Sequence, residues 1–206
     1  MPITINTLAS LVNLNSVEGV KWGTPIQSRE EGVYIISSSE DPSMNLGTLD
    51  TCPLSVEIIR DWINKVGGFK LDRTRTFDEE KVIKRLSGFW LPDENILYIG
   101  KAPQRNGKKG IGNRVKEYYK TDYGKKSPHA GGHWLKALSN LNSLYVYYAE
   151  IDNSALVEQM LLNHFMRQVS VETRSLLRDK SLTLPFANLE LKKGQFKNHG
   201  LSNMKK

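Results

Sequence analysis

Tyr34 ends "GVY" and Tyr98 opens "YIG", each inside a run of β-branched and aromatic residues, so both are expected on strands that pair. Arg114 and Tyr118 stand four apart and share one face of a helix. Glu158 interrupts the apolar stretch "ALVEQMLL", where a carboxylate is costly unless it is solvated, paired or bound to a metal. Asn188 follows Pro185 in "LPFAN". Singly, each has an ordinary structural explanation: strand tyrosines pack, and a lone glutamate sits on the wet edge of its helix. Together they suit phosphoryl transfer, which asks for positioning and charge stabilisation. A guanidinium grips phosphate oxygens in a bidentate fashion that an ammonium does not. A phenol titrates near 10, so Tyr34 serves as a base only if Arg114, Lys101 or a metal lowers its pKa.

Other chemistries fit less well. The loop after Gly100 is rich in glycine and lysine, but G-x-x-x-x-G-K-[ST] is absent, since Arg105 stands five after Gly100. His129 and His133 are four apart in "HAGGH", yet Pro128 and the Gly131-Gly132 pair argue against a helix, and no carboxylate or cysteine supports a zinc site. Cys52 abuts Pro53 with no histidine close in sequence, a poor setting for a nucleophile.

The elements that must position these residues follow from periodicity. Residues 1–31 read as an arm with a short helix in "NTLASLVNL". "GVYIIS" (32–37) is a strand and 38–52 a loop. A helix follows in 53–66, with Pro53 at its first position, Gly67-Gly68 as its stop, and Ile58, Ile59, Trp62, Ile63 and Val66 as a core-facing stripe. Thr76 and Glu79 form a capping box for a helix over 77–88. "ILYIG" (96–100) is a strand, 113–120 a helix starting near Gly112, and "KKSPHAGGHW" a loop leading to a short helix. "SLYVYYAEI" alternates as a strand, with Leu144, Val146 and Tyr148 on one face. "NSALVEQMLLNHFMRQ" is an amphipathic helix capped by Asp152, Asn153 or Ser154. The segment 191–206 reads as a basic, loosely ordered tail.

Composition narrows the partners. The chain of 206 residues carries a net charge of +7, and the window Lys101–Lys136 alone contributes +8, from ten basic residues opposed only by Glu117 and Asp122. Such a concentration is the footprint of a polyanion-binding surface. No apolar run approaches 18 residues, so no membrane-spanning helix is expected. The N-terminal residues lack a secretory pattern, and a single cysteine allows no internal disulfide; a reducing, cytoplasmic setting is expected.

Five stretches in order, "GVY" (32–34), "YIG" (98–100), "RVKEY" (114–118), "ALVEQMLL" (155–162) and "LPFAN" (184–188), resemble the GIY-YIG nuclease family over roughly 30–37 and 94–190. The long separation of the two tyrosine strands, and "WGTPI" ahead of "GVY", resemble its restriction endonuclease branch. The resemblance implies an α/β fold of the α+β type. It would have a small three-stranded antiparallel sheet flanked by helices, a helical insertion (38–93) between the first two strands, and a single domain over 1–190. It implies Mg²⁺-dependent (or Mn²⁺-dependent) hydrolysis of double-stranded DNA. Glu158 would bind one cation, Arg114 the scissile phosphate, Tyr34 would help activate water, and Tyr98 would place water or phosphate. Lys101 would add charge, Tyr118 would fill a position that relatives give to His or Tyr, and Asn188 would buttress the site. One active site cuts one strand, so a double-strand cut calls for a homodimer or two binding events. Candidate DNA contacts are Arg105, Lys108, Lys109, Lys125, Lys126, His129 and His133, with Arg73 and Arg75 in the insertion. The rival expectations are a repair or mobile-element nuclease of the same type and a catalytically silent DNA-binding module.

Overall fold

The protein is described from a computed structural model covering residues 2–14, 16–104, 110–123 and 130–204. Its centre is an antiparallel sheet of β1 (Glu18–Lys21), β2 (Gly32–Ser37), β5 (Ile96–Ala102) and β6 (Tyr145–Glu150), in the order β1-β6-β2-β5. The α+β class is as expected, but this sheet has four strands, not three. β1 carries no strand signal in "EGVK" and exists through its pairing with β6. All six residues of β2 are buried, because both faces of the sheet are covered.

One face carries Tyr34, Ile36, Leu97 and Val146. It packs against α2 (Val56–Val66), α4 (Gly110–Lys120) and α5 (Ala130–Lys136). The other face carries Val33, Ile35, Ile99 and Tyr147, packed against α1 (Ile5–Ser10) and α6 (Ser154–Gln168). The first two tyrosine strands pair as expected, with Tyr34 opposite Gly100 and Ile36 opposite Tyr98. A bulge then leaves Leu97 between the pairs Ile36–Tyr98 and Ser37–Ile96, so Leu97 and Tyr98 both face the α4 side.

The insertion is not purely helical. Between α2 and α3 (Glu79–Ser87) lies a hairpin of β3 (Phe69–Leu71) and β4 (Thr74–Thr76). Its two turn residues, Asp72 and Arg73, both have positive φ, as a type I′ turn requires. α2 begins at Val56 with Ser55 as its cap, three residues beyond Pro53, and ends at Gly67 in the left-handed conformation. Its stripe is core: Ile59, Trp62, Ile63 and Val66 are buried and Ile58 partly so. α3 is capped by Asp78, which accepts from the Lys81 N–H, while Thr76 accepts from Asp78. The expected Thr76–Glu79 box is therefore shifted by the hairpin, which keeps Thr76 in β4.

The reading of the C-terminal segment as loosely ordered is overturned through Met204. After α7 (Val171–Leu176) the chain forms β7 (Glu190–Lys192), β8 (Gln195–Phe196) and β9 (Leu201–Asn203), and β9 pairs with β3. The partner strand supplies what "LSN" lacks on its own. α5 also departs from expectation by including Gly131 and Gly132. The helix runs against the backbone of the 184–188 segment, and a Cβ on Gly131 would overlap the Ala187 carbonyl oxygen. Among the described residues no helix is long and apolar enough to cross a membrane.

Candidate active site

β5 is an edge strand, and its outer edge is met by "LPFAN" instead of another strand. The Ala187 N–H donates to the Leu97 carbonyl at 2.9 Å. The Asn188 carboxamide then imitates a strand: its Oδ1 accepts from the Ile99 N–H at 2.9 Å and its Nδ2 donates to the Ile99 carbonyl at 2.8 Å. The turn that presents Asn188 rests on Lys197, a buried ammonium that donates to the carbonyls of Pro185 and Phe186, both at 2.9 Å. Burial pushes Lys197 down to about 7, opposed by the charge of Asp179. It also stands over the rings of Phe89 and Trp134. No sequence signal marks this residue, which lies in the segment expected to be a tail.

Three tyrosine rings converge at the inner side of β5. Tyr34–Tyr98, Tyr98–Tyr118 and Tyr34–Tyr118 centroids are 5.8, 5.2 and 6.3 Å apart. Gly100 makes room for them, since a Cβ there would lie 2.6 Å from both Tyr34 Cζ and Tyr98 Cε1. Tyr34 and Tyr118 are 1% and 0% exposed, whereas Tyr98 is only partly buried. Burial raises all three phenols. Tyr98 reaches about 12, with the Glu158 charge adding to burial and the Tyr34 hydroxyl and Arg114 opposing it. Tyr34 lies well above its ordinary value through burial and then its neighbour Tyr98, with Arg114 too weak a counterweight. The free protein therefore holds Tyr34 as a neutral phenol at pH 7. Its Oη is buried, with the Tyr98 hydroxyl as its polar neighbour.

Outside this wall lies an open pocket of about 500 Å³ lined by Tyr98, Lys101, Arg114, Glu158, Asn188 and Glu190, among others. Tyr34 and Tyr118 do not line it; they back it. Glu158 comes from the first turns of α6, whose N-terminus is fixed by Glu31, next to β2: its carboxylate accepts from the Ser154 N–H at 2.7 Å. Asn153, an expected cap, makes no side-chain bond there. Burial raises the Glu158 pKa, and the Lys101 ammonium, in direct contact with Oε2, pulls it back, helped by Arg114. Lys101 alternates to the α6 face of β5, which brings it to that carboxylate. Arg114 is mostly buried, bonds Glu117 at 3.2 Å through Nη1, and leaves its Nε buried without a partner among the described residues.

Of the other candidates, Arg105, Lys108, Lys109, Lys125, Lys126 and His129 lie outside the described residues. His133 is not a surface contact: it is 5% exposed, its Nε2 lies 3.1 Å from the Asp122 carbonyl, and its ring packs on Trp62 and Tyr123. Burial lowers its pKa, so it is a neutral core histidine. Arg73 and Arg75 belong to the hairpin of the insertion and do not line the pocket; Arg75 stacks on Phe77. Glu190, Lys192 and Lys193 do line it; the two lysines lie in the segment expected to be a tail, and no motif marks Glu190.

Among the described residues no cluster of three or more His, Cys, Asp or Glu side chains is built to hold a metal. Glu158 with Glu190 on the same pocket suits only a hard cation that keeps most of its water and completes its shell with substrate oxygens, as Mg²⁺ does. Comparison with protein-family models, with curated proteins and with solved structures finds no match.

Proposed function

We propose that the chain is a Mg²⁺-dependent DNA endonuclease of the GIY-YIG type, of the restriction kind. The observation that carries this reading is the convergence of Tyr98, Arg114 and Glu158 in one open pocket. They come from a strand and two helices far apart in sequence, and the pocket carries both signs of charge. Arg114, whose side chain lines the pocket, binds the scissile phosphate through its guanidinium. Glu158, with Glu190 on the same pocket, would hold the cation, which when bound would stabilise charge on the phosphate and the leaving oxygen. Tyr98, a neutral phenol at pH 7, orients the attacking water or a phosphate oxygen by donating a hydrogen bond. Tyr34 and Tyr118 form the rigid wall that fixes the Tyr98 ring, and Asn188 fixes the strand that carries it.

Lys101 serves as the counter-charge of Glu158 and would have to release that carboxylate for it to hold a cation. That ion pair favours one alternative, a DNA-binding module without catalysis, because the carboxylate is already satisfied. Incubation of supercoiled plasmid with Mg²⁺ decides between them. The nuclease reading expects nicked or linear product, lost in Glu158→Gln and Arg114→Ala proteins that remain folded. Binding without cutting under any divalent metal refutes it.

A further inference from the structure

A second cleft, of about 720 Å³, lies on the far flank of α4 from the catalytic pocket. Its other wall is the strap 23–29, and the strap is built into place. The Gly112 N–H donates to the Ser28 carbonyl at 2.9 Å, the Ile111 N–H to Glu30 at 3.0 Å, and Tyr119 Oη to Thr24 at 3.3 Å. Trp22 packs on Tyr119 with centroids 4.8 Å apart. Gly112 permits the approach, since a Cβ there would overlap the Ile26 carbonyl oxygen.

The lining is of one sign. Arg29 comes from the strap, and Lys116 and Lys120 come from α4, joined by the polar Gln27, Ser28 and Asn113; among the described residues no carboxylate lines the cleft. All three cations are exposed, and none is ion-paired within the described residues. Asn113, Lys116 and Lys120 recur at three- and four-residue spacing and so share a face. Arg114 lies about 100° round the helix from Asn113 and reaches the catalytic pocket instead. One helix thus offers cations to two separate hollows. Three exposed cations that form no ion pair among the described residues, with amide and hydroxyl groups between them in an open groove, match a row of phosphodiesters.

We propose that the cleft between the 23–29 strap and α4 grips the phosphodiester backbone of duplex DNA beyond the stretch held in the catalytic pocket. This rests on the DNA reading above but not on catalysis. The test is fluorescence anisotropy with a labelled 30-base-pair duplex in EDTA, titrated from 50 to 300 mM KCl. The parent is compared with a triple Arg29→Gln, Lys116→Gln, Lys120→Gln protein whose melting temperature is checked. Loss of three phosphate contacts flattens the slope of log K against log salt by about 2.7 and weakens binding at low salt roughly tenfold or more. Single substitutions, each flattening the slope by about 0.9, serve if the triple protein melts early. Unchanged slope and affinity overturn the proposal. So does a parent that ignores the duplex, whether or not it binds phosphatidylserine vesicles. A flattened slope in a parent that never cuts plasmid keeps the cleft and removes the nuclease.

Discussion

Replacing Asn188 by alanine removes the two hydrogen bonds that close the outer edge of β5 at Ile99, a fully buried residue. Alanine leaves one N–H and one C=O of the strand unmade. A buried polar group left without a partner costs about 1–3 kcal/mol, so the pair costs about 2–6 kcal/mol. Water from the adjoining pocket recovers part of this and places the expected loss at about 2–4 kcal/mol. For a chain of this size that lowers the melting temperature by roughly 5–15 °C. Urea denaturation measures the loss, and amide exchange at Ile99 locates it, with roughly 30–1000-fold faster exchange against a smaller change in α2. Asn188→Asp separates geometry from chemistry. It keeps an acceptor for the Ile99 N–H but sets a carboxylate against the Ile99 carbonyl, so it is as damaging as alanine at pH 7. It recovers as acid protonates the new carboxyl and makes it a donor. A loss below about 0.5 kcal/mol, with Ile99 exchange unmoved, refutes the view that this side chain completes the sheet.

Gly131→Ala drives a methyl into the Ala187 carbonyl, backbone that cannot give way, so it destabilises by about 1–3 kcal/mol in a thermal melt even though alanine favours helix. Truncating Lys197 to alanine strips the Pro185 and Phe186 carbonyls of their donor; it lowers stability by about 2–4 kcal/mol and quickens exchange at Ile99 without touching the pocket lining. The raised phenols of Tyr34, Tyr98 and Tyr118 set the alkaline limit: the unfolded phenols ionise near 10 while the folded ones stay protonated. Stability is thus intact below pH 10 and falls as pH rises through 10 to 12, with the tyrosinate absorbance of these three appearing only on unfolding. Lys101→Met frees Glu158 of its counter-ion, so Mg²⁺ or Mn²⁺ binds the apoprotein more tightly by calorimetry; unchanged affinity argues against Glu158 as the cation's ligand.

What was legible in the sequence was local. "GVYIIS", "ILYIG" and "SLYVYYAEI" announce their strands through alternation and β-branching, and their pairing brings Tyr34 and Tyr98 together as expected. Arg114 and Glu158 were visible because each is a charge set against its own helix. What depended on distant backbone was not visible. β1 and β9 are strands only because β6 and β3 lie beside them. Gly131 and Gly132 read as breakers, yet the helix survives there because packing needs a surface without a side chain. His133 looked like a surface group until α5 turned it into the core. Tyr34 and Tyr118 lie behind the pocket wall, a distinction of depth that spacing does not encode.

The Asn188 clamp and its Lys197 support also impose an order in time. On the ribosome, Tyr34, Tyr98, Arg114 and Glu158 all emerge before residue 188, and β9 emerges later still. Until then β5 is an open edge with unpaired backbone groups, and the pocket has no outer wall. A nascent chain, or one cut short before 188, holds these four side chains yet lacks Asn188 and Glu190 and the outer wall they form. Whatever activity the pocket has is thereby withheld until the segment 188–203 has left the ribosome, which is a useful delay for a protein proposed to cut the DNA of the cell that makes it.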